Sequence, residues 1–401
     1  MPPRSPPKPL AGIRVLELGQ LIAGPFCTKL LAEFGAEVVK IEPPGHGDPL
    51  RSWRHMDDGT SLWWHVQSRG KQSVALDLRQ PDGQAIARRL ALAADIVVEN
   101  FRPGTLEGWG LGYDDLVGGN PGLVMVRISG YGQTGPYRER PGFGVIGEAV
   151  GGLRYVTGTP DRPPSRVGIS IGDTLSALYG VIGAMLALHA RTASGRGQVV
   201  DVALFESVFS VMESMLPEYD LFGVVRERTG SILPGIAPTA AYRCSDGSYV
   251  LIAANADSIF RRLARAMGRD DLATDPELAG NAGRASRQAW LDGEIEAWTS
   301  ERRAADVVAA MEAAEVPASR ILSIADIAAD PHYAAREMIR SIVLPSGRAM
   351  KVPGVVPRLS ATPGDFAGGG PRLGEHTDDV LRRLGYDAAT IADLRARGVI
   401  G

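Results

Sequence analysis

Residues 13–42 read Ile-Arg-Val-Leu-Glu-Leu-Gly-Gln-Leu-Ile-Ala-Gly-Pro-Phe-Cys-Thr-Lys-Leu-Leu-Ala-Glu-Phe-Gly-Ala-Glu-Val-Val-Lys-Ile-Glu, and they give the strongest indication of the fold. The apolar segments at the two ends of this stretch, 13–18 and 38–42, are typical of short buried strands. Between them, Gly24-Pro25 opens a helical segment that Gly35 stops. A β-α-β unit of about thirty residues is the size of a parallel crossover, so two parallel strands joined by a helix are predicted.

The same alternation continues along the chain. Further strands are predicted at 73–78, 95–99, 123–129 and 198–204, with helices at 83–94, from Asp173 to Arg191 and at 205–222. Strands that alternate with helices indicate a doubly wound α/β sheet. A turn at 245–248 then starts a hairpin of a different unit. We predict a large Rossmann-like domain in 1–224, a small α+β domain in 225–325 and a return segment in 326–401.

Composition excludes several classes of protein. A net charge of −3 gives no general attraction to nucleic acid or to anionic membranes. The two distant cysteines favour a reducing cytoplasm over a disulfide framework. The proline-rich start lacks the apolar core of a signal peptide, and no run of about 18 apolar residues is apparent. The six histidines show no ligand spacing, so no metal site is expected.

Asp173 is the residue of greatest chemical interest. It follows Gly168 and Gly172 and opens a long apolar helix, where an acid either caps backbone N–H groups or serves as a nucleophile. Two nearby motifs offer alternatives. Residues 142–147 match the dinucleotide pattern G-x-G-x-x-G, but a loop separates them from the preceding strand. Residues 168–172 match the hydrolase pattern G-x-S-x-G, which would make Ser170 a nucleophile with His332 or His376 as its base.

A series of motifs spans the chain in a fixed order. It comprises Leu10-Ala-Gly-Ile-Arg-Val-Leu-Glu-Leu, Ala23-Gly-Pro-Phe-Cys-Thr28, Gly35-Ala-Glu-Val-Val-Lys-Ile-Glu42, Gly45-His-Gly-Asp48, Arg69-Gly-Lys-Gln-Ser73, Val98-Glu-Asn-Phe-Arg-Pro-Gly104, Ser129-Gly-Tyr-Gly-Gln-Thr-Gly-Pro136, Gly172-Asp173, Gly195-Arg-Gly-Gln-Val-Val-Asp201 and Leu373-Gly-Glu-His-Thr377. Together the motifs resemble the class III CoA-transferases, the family of formyl-CoA transferase and carnitine CoA-transferase. The resemblance implies a large domain completed by the C-terminal segment, an interlocked homodimer, and acyl-CoA and a carboxylic acid as substrates without a permanently bound cofactor.

The resemblance also assigns roles to individual residues. It makes Asp173 the nucleophile, which forms an aspartyl anhydride and then an aspartyl-CoA thioester. It places a wall against the CoA thiol arm at Phe143, where the related α-methylacyl-CoA racemases carry a histidine. The other CoA-binding positions that it implies are Ile22, Ala23, Arg69, Lys71, Asn100, Phe101, Gly104 and Thr105.

The same resemblance bears on the substrates. The stretch 230–235 lacks the tetraglycine loop of formyl-CoA transferase, and the overall pattern is closer to the branch that uses succinyl-CoA and short dicarboxylates. A second substrate carboxylate would need a cation, for which Arg54, Arg140 and Arg166 are candidates. Three alternatives stay open from the sequence: a racemase, a thioesterase-like hydrolase that uses Ser170, and a CoA-binding protein without activity, against which the intact Asp173 argues.

Overall fold

The computed structural model describes residues 7–401, which form two compact units. The first unit comprises the chain up to Arg154 together with Val167–Val225 and Ala334–Gly401, and the second comprises Tyr155–Arg166 and Arg226–Tyr333. A single continuous segment was predicted for the small domain, whereas the structure adds residues 155–166 to the second unit. A backbone hydrogen bond explains this: the Gly230 amide donates to the Gly158 carbonyl at 2.9 Å.

Thirteen strands lie within the described residues. In chain order they are β1 (Arg14–Glu17), β2 (Glu37–Glu42), β3 (Met56–Asp57), β4 (Thr60–Ser61), β5 (Lys71–Ala75), β6 (Ile96–Glu99), β7 (Val124–Ser129), β8 (Val199–Ala203), β9 (Thr239–Arg243), β10 (Tyr249–Ala253), β11 (Ala318–Arg320), β12 (Ile339–Val343) and β13 (Ala349–Pro353).

The α-helices of the same part of the chain connect and flank these strands. In chain order they are α1 (Ala23–Glu33), α2 (Leu62–Gln67), α3 (Pro81–Ala93), α4 (Thr105–Gly108), α5 (Tyr113–Val117), α6 (Gly144–Val150), α7 (Leu153–Val156), α8 (Ile171–Ser194), α9 (Leu204–Phe209), α10 (Met215–Phe222), α11 (Asp257–Ala266), α12 (Asp270–Thr274), α13 (Asn281–Ser286), α14 (Gln288–Ser300), α15 (Ala304–Ala313), α16 (Ile324–Ala329), α17 (Pro331–Ala335), α18 (Thr377–Arg383) and α19 (Ala388–Ala396).

The first unit is built on a parallel sheet of six strands in the order β5-β2-β1-β6-β7-β8. The predicted α/β class with a Rossmann-like sheet is therefore confirmed. Chain order reverses between β1 and β6, and ligands of such sheets bind at the carboxyl ends of the strands beside this reversal. Apolar side chains cover both faces of the sheet: Leu16 and Val97 belong to one cluster, and Val15 and Val98 to the other.

The C-terminal return segment packs on the same sheet. The side chains of Val380, Leu381 and Ile400 join the cluster that contains Leu76, the residue that follows β5. Strands β12 and β13 form an antiparallel hairpin within this unit. The C-terminal part of the chain therefore contributes apolar surface to a core that begins with β1.

The second unit has its own core. Strands β9, β10 and β11 form an antiparallel sheet in the order β11-β10-β9, and its buried apolar cluster includes Val250, Phe260 and Leu291. Helix α14 packs against β9, and α15 packs against β10 and β11. The unit therefore has the α+β character expected for a small domain.

Two predicted features differ in the structure. The helix expected over 205–222 is two helices, α9 and α10, because Glu213 between them has a φ of 52°, which a continuous right-handed helix does not contain. Helix α8 is long and apolar enough to cross a membrane by length and composition, contrary to the expectation that no such run exists. It packs against α1, β7 and β8 as the crossover between parallel strands, which accounts for the apolar residues on its buried face.

Candidate active site

The turn after β1 and the end of β6 meet at the carboxyl edge of the sheet, where the chain order reverses. Asn100, the first residue after β6, joins them through two hydrogen bonds. Its Oδ1 accepts from the Gln20 amide at 2.7 Å, and its Nδ2 donates to the Gln20 carbonyl at 2.8 Å. A Cβ atom on Gly19 would lie 3.1 Å from Oδ1 of Asn100, so the glycine allows this close approach. The amide side chain therefore fixes the shape of the first strand-to-helix turn.

Asp48 holds the same turn from the other side. Leu21 has a φ of 64°, and both carboxylate oxygens of Asp48 accept from its backbone amide at 3.1 Å. Helix α1 then begins at Ala23 with Ile22 as its N-cap, and the Ile22 side chain supplies no capping hydrogen bond. Ile22 and Ala23 are buried. The first backbone N–H groups of α1 therefore lack a side-chain cap from Ile22, an arrangement that suits an anionic ligand.

A buried ion network lies beneath this turn. The Lys40 ammonium contacts Glu17 Oε1 at 2.8 Å and Asp48 Oδ2 at 2.9 Å, and the Lys71 ammonium contacts Glu17 Oε2 at 2.8 Å. Burial opposes the charge on Lys40, but the carboxylates of Asp48 and Glu17 outweigh it and raise the Lys40 pKa. Burial dominates at Lys71 and lowers its pKa to about 8. The network therefore connects β1, β2 and β5 below the predicted CoA site.

Arg69 and Lys71, both predicted to contact CoA, direct their charged groups into the protein. The Arg69 guanidinium is fully buried, donates to Glu33 Oε1 at 2.6 Å and lies 3.7 Å from the ring centroid of Phe366. The Lys71 ammonium donates to the Pro25 carbonyl at 2.7 Å as well as pairing with Glu17. Neither charged group is exposed to a ligand phosphate in this structure, because both are taken up by interior partners.

The segment after β6 presents the remaining predicted CoA-binding residues. Phe101 is half-buried and packs edge-on against Trp109, with ring centroids 5.4 Å apart. Gly104 has a φ of 88° and precedes α4, whose first residue is Thr105. A φ in this region favours glycine, so the turn into α4 depends on Gly104. These residues follow Asn100 directly and therefore lie at the same edge of the sheet.

Asp173 lies in the first turn of α8, where the macrodipole favours a carboxylate. Because α8 connects the parallel strands β7 and β8, it begins at the carboxyl edge of the sheet. The Ser170 side chain provides no capping hydrogen bond to the helix. The Asp173 side chain is partly exposed. A partly exposed carboxylate at a helix start, beside backbone N–H groups, can act as a nucleophile whose developing oxyanions find donors nearby.

Gly144, the first residue of α6, lies against the Asp173 carboxylate. A Cβ atom on Gly144 would lie 2.0 Å from Oδ2 and 2.8 Å from Oδ1 of Asp173, so only a glycine leaves room for the carboxyl group as it stands. Phe143, which precedes it, is 65% exposed. Phe143 therefore directly precedes the residue that lies against the Asp173 carboxylate. A racemase would carry a histidine at this position, whereas this chain has a phenylalanine.

The two motifs that offered alternative functions, 142–147 and 168–172, have other surroundings than those functions need. Gly144 and Gly147 of the dinucleotide-like pattern lie against Asp173 and Leu204, respectively. Ser170 does not stand on a nucleophile elbow, because residues 161–170 contain no strand. His376 bonds to Ser73 on the edge strand β5, whereas α8 packs near the opposite edge, about 20 Å away at the usual strand spacing. His332 lies in the second unit.

The three arginines considered for a second substrate carboxylate have different surroundings. Arg54 lies over the ring of Trp63 at 4.4 Å, and Arg140 lies over the ring of Tyr137 at 3.5 Å. Arg166 is exposed and belongs to the second unit. Over residues 7–401, no group of three or more His, Cys, Asp or Glu side chains is arranged to hold a metal ion.

The sequence patterns assigned no role in this site to Gly144, Glu148 or Asp48, although Gly144 lies in the dinucleotide-like pattern and Asp48 ends the motif at 45–48. Glu148 is buried, and its Cγ would lie 3.2 Å from a Cβ atom on Gly172, beside Asp173. The sequence spacing does place two of these residues together, because Gly144 and Glu148 are four positions apart and therefore share one face of a helix.

Comparisons with known proteins identify the family of the chain. The family model described as CoA-transferase family III matches residues 10–377. A succinyl-CoA–D-citramalate CoA-transferase of Chloroflexus aurantiacus is 53% identical over the full length of both chains, and the beta subunit of a succinyl-CoA–L-malate CoA-transferase of the same organism is 43% identical over 98% of each. A crystal structure of a CAIB/BAIF family protein from Brucella suis superposes with a TM-score of 0.82 at 34% identity, covering 94% of this chain and all of that one. The chain therefore belongs to CoA-transferase family III and is a class III CoA-transferase.

Proposed function

We propose that this enzyme moves CoA from succinyl-CoA to a short dicarboxylic acid and that Asp173 is its covalent nucleophile. The observation that carries the mechanism is the partly exposed Asp173 carboxylate, which lies against Gly144 at the start of α8. The choice of substrates is supported by the citramalate and malate enzymes, which are 53% and 43% identical to the chain.

CoA is proposed to pass first from the donor acid to Asp173 and then from Asp173 to the acceptor acid. An Asp173 oxygen attacks the thioester carbonyl, the C–S bond breaks, and CoA leaves as a thiolate beside a mixed anhydride. The thiolate then attacks Cγ of Asp173, the bond between Cγ and the bridging oxygen breaks, and the donor acid leaves as a carboxylate. The acceptor carboxylate reverses both steps and takes the CoA. A carboxylate nucleophile suits this exchange because it forms the same type of anhydride with both acids.

The site is proposed to recognise CoA largely through the backbone. The start of α1 after Ile22 and the turn at Gly104–Thr105 present N–H groups at the edge where Asn100 and Phe101 lie. Since the charged groups of Arg69 and Lys71 are buried, we assign them support of this edge, with any contact to CoA made by their main chains. Phe143 would lie against the thiol arm.

We further propose that the enzyme acts as a cytoplasmic homodimer with no permanently bound cofactor or metal and without nucleic acid or membrane partners. The exposed apolar side chains of α8 support the proposal of a protein partner. Ile182 and Leu186 are more than half exposed, and they lie beside a cavity of about 350 Å³ lined by α8, β8 and α9. Exposed apolar surface of this kind marks association sites. A second copy that covers it would also complete the surroundings of α8.

The test is succinyl-CoA turnover against a pool of carboxylic acids, with acyl-CoA products identified by mass spectrometry. Wild type should form a new acyl-CoA, and Asp173→Asn should form none. Asp82→Asn is the matched control, because Asp82 also lies in the first turn of a helix that follows a strand of the sheet, and it should retain activity. Hydrolysis without an acceptor, or an active Asp173→Asn variant, would refute the mechanism. Exchange of an α-proton with deuterated solvent without CoA transfer would instead indicate a racemase.

A further inference from the structure

Glu148 on α6 is a buried carboxylate beside the proposed nucleophile. It is 0% exposed, and its Oε2 accepts from Nε of Arg154 at 3.1 Å. The other oxygen, Oε1, is buried and has no hydrogen-bond partner among residues 7–401. A buried carboxylate with an unsatisfied oxygen is costly. Such groups are few in native proteins, and a catalytic role is one explanation for them.

The position of Glu148 connects it to Asp173. Glu148 lies one helical turn after Gly144, whose backbone lies against the Asp173 carboxylate, and side chains of a helix lean toward its N-terminus. Its Cγ also lies against Gly172, as the 3.2 Å distance to a Cβ atom built there shows. Glu148 therefore packs against the first turn of α8, at the residue that precedes Asp173.

The surroundings of this carboxylate include one basic partner and several uncharged contacts. On its α9 side, α6 packs through Gly147 against Leu204 and through Gly151 against Val208, which are uncharged contacts. Arg154 from α7, whose side chain is 23% exposed, is the ion-pair partner of Glu148. Asp173 follows Gly172, the residue of α8 against which Cγ of Glu148 lies. Solvent weakens the compensation from Arg154, whereas the charge of Glu148 itself is fully buried.

We propose that Glu148 is a positioning residue that acts through Asp173, its buried negative charge favouring the acylated, uncharged forms of Asp173 over the ionised carboxylate. This inference rests on the proposed role of Asp173 as the nucleophile. When Asp173 attacks a thioester, its charge passes to the CoA thiolate, so the like-charge repulsion from Glu148 is relieved as the anhydride forms. The same repulsion helps to expel the donor acid as an anion.

Replacement of Glu148 by Gln removes the charge and keeps the shape. After mixing with succinyl-CoA without an acceptor, the ratio of aspartyl-CoA enzyme to unmodified enzyme should fall about tenfold in Glu148→Gln, as read by intact-protein mass spectrometry. The acidic limb of the pH profile of kcat/KM should move to lower pH by about one unit, because less repulsion makes Asp173 easier to ionise. Glu148→Asp keeps the charge, so its ratio of aspartyl-CoA enzyme to unmodified enzyme and its pH profile should both be closer to those of wild type.

The conservative variant separates charge from packing. If Glu148 only fills space, the isosteric Gln will behave as wild type and the shorter Asp will be the damaged variant, which would overturn the proposal. Asp57→Asn is the control, because Asp57 is a buried carboxylate paired with Arg348 away from α8. The pH profile of kcat/KM of this variant should match that of wild type. Wild type is run with succinyl-, acetyl- and propionyl-CoA. An adduct from none of them would overturn the proposed function itself, whereas equal adducts in wild type and Glu148→Gln would overturn only the role of Glu148.

Discussion

Substitution of Gly144 by Ala tests the placement of the nucleophile directly. The new Cβ atom would lie 2.0 Å from Oδ2 of Asp173, whereas ordinary contact begins at about 3.4 Å, so the carboxylate must retreat by more than 1 Å. The side chain can rotate away because it is partly exposed. The fold should therefore survive, and an alanine in a helix even gains about 1 kcal/mol over glycine.

The catalytic cost of Gly144→Ala should be large. A displacement of about 1 Å in a reacting group can lower a rate about 100-fold, which corresponds to about 2.7 kcal/mol of activation free energy. We expect kcat for transfer from succinyl-CoA to fall by this factor, with the melting temperature within a few degrees of wild type. The assay follows acyl-CoA products by liquid chromatography and stability by thermal unfolding.

Two control variants separate this effect from general disturbance of helices. Gly293→Ala adds a methyl group to α14 where no atom lies within 4 Å, and kcat should not change. Gly147→Ala places a Cβ atom 2.8 Å from Cβ of Leu204 and should lower stability by about 1–3 kcal/mol, because it overpacks α6 against α9. A Gly144→Ala enzyme with kcat within about threefold of wild type would refute the geometric argument.

Three further outcomes are expected. Lys40→Met should lower the free energy of unfolding in urea by about 3–5 kcal/mol, because the buried carboxylates of Glu17 and Asp48 lose a positive partner. A loss below about 1 kcal/mol would contradict this. Phe143→Ala should leave the free energy of unfolding within about 0.5 kcal/mol of wild type, since the ring is largely exposed, while raising the KM for acyl-CoA; an unchanged KM would remove its role against CoA. Hydrogen bonds from Arg79 lower the pKa of Asp77 to about 2, so the Asp77 carboxylate stabilises the fold above its unfolded pKa and this stabilisation disappears as the pH falls toward 2. Asp77→Asn should therefore be less stable than wild type at pH 7 and nearly as stable near pH 2, and a gap that persists at acid pH would contradict this assignment.

The order of strands and helices could be predicted because it depends on local patterns. The β1-α1-β2 unit is visible in the alternation of apolar runs and glycine stops within thirty residues, and Asp173 stands out because a helix start is a local event. The break between α9 and α10 carries no glycine to mark it. Glu213 occupies the left-handed position instead, so the pattern predicted one helix where there are two.

The resemblance of the motifs to the class III CoA-transferases was confirmed over the whole chain. Arg69 and Lys71 show the limit of such reasoning. Basic side chains are usually solvated, and the sequence contains no sign that Glu33 and Glu17 lie close enough to bury them. Burial of a charge depends on partners brought together by the sheet.

The α/β class, the family and the acid at the start of α8 could all be read from the amino-acid sequence, because each strand, each helix start and each family motif is formed by residues close together in the chain. Three contacts emerge only from the folded chain: Gly144 lies against Asp173, Asn100 closes the first turn, and Glu148 packs against the first turn of α8 with an unpaired oxygen. The physical reason is that these contacts join residues on different elements. Their distances depend on how α6 and α8 pack together and how β1 and β6 pair, and no local propensity encodes that packing.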